Sequence, residues 1–103
     1  MTLLLDTSLW IDFTRTRSPA PLKLFIAPFV LDPETHLAEP ANWQRAIDLG
    51  QACRQIGQTV LSLDLLVAAV ALHHNAVLVS FDADFETIAS VSELRLQRLE
   101  RPA

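Results

Sequence analysis

The sequence has little of what marks secreted or membrane-spanning proteins. Its single Cys53 cannot form a disulfide within the chain, which is typical of a protein in a reducing compartment. The longest apolar run, LLVAAVAL at residues 65–72, is far shorter than the roughly 20 residues of a membrane-spanning helix. The apolar start carries no basic residues and is interrupted by Asp6, so it does not indicate a secretory signal. We therefore expect a soluble, cytoplasmic protein without a membrane partner.

The sequence also lacks a net positive charge. Its 12 acidic and 8 basic residues give a formal net charge of -4 at pH 7. This balance argues against a protein that binds nucleic acid mainly by releasing counterions from phosphates. It does not exclude an enzyme that acts on nucleic acid, because acidic side chains gathered in one site are neutralised by a bound metal ion.

What is present suffices for one compact domain over residues 1–103. Half of the residues are hydrophobic (50%) and 19% are charged, which is enough apolar material for a core. Apolar runs predict strands at 2–5, 29–31, 76–81 and 94–96, and helical spacing predicts helices over 9–15, from Trp43 to Gly57, from Ser62 to Asn75 and over 83–89. This alternation of strands and helices predicts an α/β sandwich around a parallel sheet.

Two of the predicted helices have apolar stripes that we expect to face the core. In the first, Trp43, Ala46, Ile47, Gly50 and Cys53 recur at helical spacing, and Gly50 suggests close packing against another element. In the second, Ser62 is expected to be the N-cap, and the stripe is Leu63, Leu66, Val67, Val70, Ala71 and His74. We expect Trp10 and Trp43 to pack in the core rather than to stack on bases.

Acidic residues stand where the two clearest strands end. LLLDTS places Asp6 directly after the first strand, and VLVSFDAD places Asp82 after a later one. Ligands of parallel sheets bind beyond the carboxyl ends of the strands, so these carboxylates are expected at one edge. Asp64 lies in the first turn of a helix, where the helix dipole favours a carboxylate. Taken singly, each acid is better explained as a turn or helix-end residue than as a catalytic one.

Taken together, the three carboxylates predict a metal site. Like charges at adjacent element ends repel one another unless a cation lies between them. Carboxylate oxygens select Mg²⁺ or Mn²⁺, which keep coordination positions open for water and substrate phosphate. Such an ion activates water and stabilises charge during phosphodiester hydrolysis, so no nucleophilic side chain is needed.

Two long stretches carry a resemblance to a known family. LLLDTSLWIDF and LDLLVAAVALHHNAVLVSFDADF, in this order, resemble the PIN-domain ribonucleases, specifically VapC-type toxins of toxin-antitoxin pairs. The resemblance implies a PIN-like three-layer sandwich with a parallel central sheet, here shortened, and a site that cuts RNA with Mg²⁺ or Mn²⁺. It implies Asp6, Asp64 and Asp82 as catalytic metal ligands, with supporting residues Thr7, Ser8, Ser80 and Asp84.

The resemblance also implies a fourth acid, and here the chain departs from the family. Glu39 in HLAEPANW is the expected residue because a short apolar approach leads into it, and Glu34 in the turn-like DPET is the alternative. PIN domains ordinarily have further helices and a strand after this glutamate, whereas only Pro40 and Ala41 precede the next predicted helix. We therefore expect a segment to be missing after Pro40.

Three functions are compatible with this pattern. The first is a metal-dependent endoribonuclease toxin, neutralised by an antitoxin and forming a homodimer. The second is a catalytically impaired PIN module that only binds an antitoxin or another copy of itself. The third, a phosphorylated receiver-like domain, is disfavoured because it needs a lysine at a strand end and Lys23 lies in a proline-rich segment. His73 and His74 are expected to point about 100° apart and not to share a metal ion.

Overall fold

The computed structural model describes residues 2–6, 9, 30–31 and 39–99. Its helices and strands, in chain order, are β1 (Leu3–Leu5), β2 (Val30–Leu31), α1 (Pro40–Gln55), α2 (Ser62–His73), β3 (Val77–Ser80), α3 (Asp84–Ser90) and β4 (Arg95–Arg98). The predicted helix over 9–15 lies outside the described residues except for Leu9.

The described strands form one parallel sheet, as the alternating pattern predicts. Their order is β2-β1-β3-β4, so the first strand of the chain lies at the centre beside β3. Leu3 is in register with Val77, and Leu5 with Val79. Because these neighbours are parallel and in register, the residues that follow β1 and β3 emerge at the same edge of the sheet.

Apolar side chains cover both faces of this sheet. Leu4 and Leu78 are fully buried in a cluster that includes residues of α1, α2 and α3. Leu5 and Val79 are fully buried on the other face, in a cluster with Leu9 and Phe81. Burial on both faces is characteristic of parallel sheets and confirms the α/β fold class.

Helix α2 is the most deeply buried helix of the described chain. Residues 67–71 are at most 2% exposed, because the helix packs both on the sheet side and against α1. The N-cap is Leu61 rather than the expected Ser62, and Leu63 is 55% exposed, so this part of the predicted stripe is wrong. Beyond the other end, Asn75 adopts a positive φ of 50°. None of the described helices is long and apolar enough to span a membrane.

Helices α1 and α2 approach closely at Gly50, as the sequence suggests. A Cβ atom added at Gly50 would lie 3.0 Å from Leu65 Cδ1, so a larger residue would require the Leu65 side chain to shift. The buried face of α1 consists of Asn42, Ala46, Leu49, Gly50 and Cys53.

The prediction that Trp43 packs in the core is wrong, and so is the prediction that Ile47 lies on the core-facing stripe. These side chains are 54% and 53% exposed, because the buried stripe of α1 is rotated toward Asn42 and Leu49. Trp10 lies outside the described residues.

Candidate active site

Asp6 is held in place at the end of β1. Its amide donates a hydrogen bond to the Val79 carbonyl at 2.9 Å, which extends the pairing of β1 with β3 by one residue. The residue is only 8% exposed, and its Oδ2 accepts a hydrogen bond from the Ser80 hydroxyl at 2.9 Å. The carboxylate of Asp6 is therefore fixed relative to the neighbouring strand before any ligand binds.

Ser80 connects the two strand ends. This last residue of β3 is fully buried, and its Oγ also accepts a hydrogen bond from the Asp82 amide at 3.0 Å. Asp82 Oδ1 in turn accepts a hydrogen bond from the Asp84 amide at 2.9 Å, in the turn that leads into α3. A continuous set of hydrogen bonds thus runs from Asp6 through Ser80 and Asp82 to Asp84.

Asp64 reaches the same edge from the first turn of α2. Its Oδ2 is buried and has no hydrogen-bond partner among the described residues. Burial is the main cause that raises the pKa of Asp64 to about 6, and the nearby charges of Asp82, Asp6 and Asp84 add to it. An unpaired buried carboxylate oxygen facing other acids fits a cation site.

The structure brings the acids predicted near the two strand ends into one group. Carboxylate oxygens from Asp64, Asp82 and Asp84 lie within 4.8 Å of one another, and Asp6 is near enough to raise the pKa of Asp64. Oxygen donors at this spacing suit a hard divalent ion such as Mg²⁺ or Mn²⁺. Asp84, expected only as a supporting residue, therefore lies in the tightest part of the cluster.

The structure does not bring Glu39 to these acids. Glu39 is the N-cap of α1, and its carboxylate lies 3.4 Å from His73 Nε2 and 3.6 Å from His74 Nε2. These histidines lie at the end of α2, and the nine residue steps from Asp64 to His73 span about 14 Å of helix. The start of α1 packs beside the end of α2, and this fixes Glu39 far from Asp64. The alternative, Glu34, lies outside the described residues, as do Thr7 and Ser8.

His73 and His74 were expected not to share a metal ion because their side chains point apart, but the structure brings both toward one carboxylate. Both ε nitrogens approach Glu39, and the ring centroids are 5.0 Å apart with an interplanar angle of 88°. His73 is the last helical residue, whereas the C-cap His74 has left helical geometry with φ -93° and ψ 5°. The 100° rule for successive helical residues therefore does not apply to this pair.

Comparison with known proteins agrees with the fold. The sequence profile of the PIN domain matches residues 31–91, more than half of the chain. VapC ribonuclease Mb1587 of Mycobacterium bovis and Ribonuclease VapC11 of Mycobacterium tuberculosis are each 36% identical over 64 residues, which cover 61% of this chain and 48% of each relative. The chain thus spans about half the length of the curated relatives it matches. A parallel sheet with acids gathered at its carboxyl edge, together with the extent of the profile match, shows that the chain belongs to the PIN-domain family.

Proposed function

We propose that the chain is a VapC-like endoribonuclease toxin that cleaves phosphodiester bonds of RNA with Mg²⁺ or Mn²⁺. The observation that carries this proposal is the cluster of Asp64, Asp82 and Asp84 beside Asp6 at one edge of the sheet. Both mycobacterial relatives are named as ribonucleases, which supports RNA as the substrate. A cognate antitoxin that blocks the enzyme in the cytoplasm is part of the same proposal.

Each acid has a distinct part in the proposed chemistry. A divalent ion bound there would supply an activated water and stabilise the charge that develops on the phosphate. Asp64 and Asp82 would hold the ion, and Asp6 would complete the negative site. The Ser80 hydroxyl orients Asp6 by donating a hydrogen bond to its carboxylate. The same Ser80 Oγ accepts a hydrogen bond from the main-chain amide of Asp82 and so orients that residue. The Asp84 amide keeps the Asp82 side chain in one orientation.

The test is cleavage of a mixture of structured RNAs by the purified chain with Mn²⁺, with and without a chelator. Loss of a residue that only orients a metal ligand typically costs about 10- to 100-fold, so Asp64→Asn and Asp82→Asn should each cost more than about 100-fold. Asp48→Asn is the matched control, because Asp48 is exposed on α1, where it accepts a hydrogen bond from Gln44. Full cleavage by both site variants would refute the carboxylate mechanism.

A second function, a PIN module that binds partners without cutting RNA, is favoured by two observations. Glu39 does not join the acids, and the large apolar side chains of Trp43, Ile47 and Leu63 are each more than half exposed. Apolar surface of this kind is typical of a binding face, and we propose that a second copy of the chain covers it.

Sedimentation equilibrium separates self-association from catalysis. A dimer that dissociates in Trp43→Ser and Ile47→Ser would support this face as the contact between copies. A monomeric wild-type chain would overturn the proposed dimer and leave the ribonuclease proposal to the cleavage experiment. A dimer without metal-dependent cleavage would favour the partner-binding function.

A further inference from the structure

A second group of metal-binding side chains lies at the opposite end of α2 from the acids. It consists of Glu39, His73 and His74, whose ligand atoms all lie within 4.8 Å of one another. Nothing in the proposed ribonuclease chemistry uses these three residues. Their chemistry also differs from that of the acid cluster, because two donors are imidazole nitrogens and one is a carboxylate.

The distances within this group suit a shared ion better than direct hydrogen bonds. The Glu39 oxygens lie 3.4 Å from His73 Nε2 and 3.6 Å from His74 Nε2, beyond the usual hydrogen-bond range. Two ligand atoms bound to one tetrahedral zinc ion at about 2.0–2.1 Å lie about 3.4 Å apart. The observed separations are therefore close to the edges of a zinc coordination tetrahedron.

The group lies partly at the surface, where an ion can approach His73 and Glu39, while the Nε2 atom of His74 is itself buried. The side chains of His73 and Glu39 are 46% and 37% exposed, and that of His74 is 28% exposed. His73 also lines a surface cavity of about 170 Å³ together with Ala41, Asn42, Arg45, Ala69 and Leu72. This cavity adjoins the group on the His73 side.

We propose that Glu39, His73 and His74 form a site for one Zn²⁺ ion or a chemically similar transition-metal ion. Imidazole nitrogens favour such ions over Mg²⁺, which prefers the oxygen donors of the acid cluster. The ion links the residue that precedes α1 to the end of α2. It therefore ties together two helix ends that the chain otherwise joins only through the α1–α2 connection and their packing.

The test is calorimetric titration of Zn²⁺ into a chain carrying Asp64→Asn and Asp82→Asn, so that the acid cluster does not compete. We expect one Zn²⁺ per chain with micromolar affinity and a rise in the melting temperature. In that background, His73→Gln, His74→Gln and Glu39→Gln should each weaken Zn²⁺ binding at least about tenfold. Glu86→Gln is the control of matched charge, since Glu86 lies on α3 and pairs with Arg98.

Substitution by Co²⁺ gives a second readout that does not depend on heat. Cobalt bound by two imidazoles and a carboxylate in a four-coordinate site absorbs visible light much more strongly than hydrated cobalt does, and His73→Gln should abolish this absorption. Unchanged Zn²⁺ affinity in both histidine variants would overturn the proposal. So would the absence of Zn²⁺ binding once Asp64 and Asp82 are replaced.

Discussion

The two ends of α2 carry opposite electrostatic arrangements. At its start, Asp64 lies among carboxylates of the same sign, and burial with this repulsion raises the pKa of Asp64 to about 6. At its end, His73 and His74 lie against the single carboxylate of Glu39. The helix dipole favours an acid at the start of a helix and a histidine at its end. Each residue type therefore lies at the end of α2 where the dipole favours it.

This difference shows which end of α2 gains more from binding a cation. At the histidine end, the imidazole nitrogens lie beside a carboxylate, so no like charges are brought together. At the acid end, no basic side chain of the described residues is within ion-pair distance of Asp64, Asp82 or Asp84. The acid end is therefore where a divalent cation relieves the larger unfavourable interaction.

The largest effect is expected from destabilising the hydrophobic core that positions both ends of α2. Phe85 of α3 is fully buried in the cluster that contains the buried residues of α2. Phe85→Ala should lower the free energy of unfolding by about 3–5 kcal/mol, because it leaves a cavity. Urea denaturation followed by circular dichroism measures the change. Gln97→Ala, at an exposed position of β4, should have little effect, and an equal loss there would contradict this assignment of the core.

The next largest effect should come from binding of a metal ion to the acids at the start of α2. Mn²⁺ at a hundredfold excess over its dissociation constant should stabilise the chain by about 2.7 kcal/mol. The effect should vanish on addition of chelator and be strongly reduced in Asp82→Asn, which removes a proposed ligand. Thermal unfolding with and without Mn²⁺ measures it. Equal stabilisation of the wild type and Asp82→Asn would place the ion elsewhere.

Without metal, the repulsion at Asp64 should appear as a pH dependence of stability. The folded-state pKa of about 6 lies above the ordinary value of 3.8, so the folded chain holds this proton more tightly than the unfolded chain does. The contribution of Asp64 to the free energy of unfolding is therefore fully present below about pH 4 and is lost as the pH rises through about 6.

Asp64→Asn should remove this loss of stability with rising pH. At pH 7 in chelator, the variant should be more stable than the wild type by about 1 kcal/mol, a value kept small because solvent screens the partly exposed carboxyl. Denaturation curves at pH 4 and pH 7 measure both chains. The same pH dependence in Asp64→Asn as in the wild type would assign the effect to another group.

The smallest effect should come from the histidine end. Glu39→Gln should change the free energy of unfolding without metal by less than about 1 kcal/mol, because its contacts with His73 and His74 are partly exposed to solvent. The same variant should reduce Mn²⁺-dependent RNA cleavage far less than Asp82→Asn does. If cleavage is lost equally in the two variants, Glu39 reaches the acids during catalysis and the two ends of α2 are not independent.

Short-range patterns sufficed to predict the elements that end at the acid cluster. Apolar runs that stop at an acid identify β1 with Asp6 and β3 with Asp82, and parallel pairing then brings the two ends together. Asp64 was assigned through its combination with the other acids and the resemblance to PIN domains, because a carboxylate in a first helical turn is by itself explained by the helix dipole. The inferences about Asp6 and Asp82 use only neighbours in sequence and one general rule about sheets.

The positions that depend on how α1 packs against α2 could not be predicted in this way. The spacing of α1 permits two overlapping stripes, and only packing at Gly50 and Leu65 selects the one that leaves Trp43 exposed. The same packing places Glu39 beside His73, a contact between residues far apart in sequence. No local pattern encodes that contact, so the fourth acid was assigned by its order along the chain and by the short apolar approach that precedes it.

The hydrogen bond from Ser80 to Asp6 has a consequence for how the acid end accepts an ion. The Ser80 hydroxyl proton is already committed to Asp6, so the proton that must leave belongs to Asp64, whose pKa is raised to about 6. Near that pH, metal uptake is an exchange in which the ion enters as a proton departs into the buffer. A calorimeter would register it as a heat that scales with the ionisation enthalpy of the buffer.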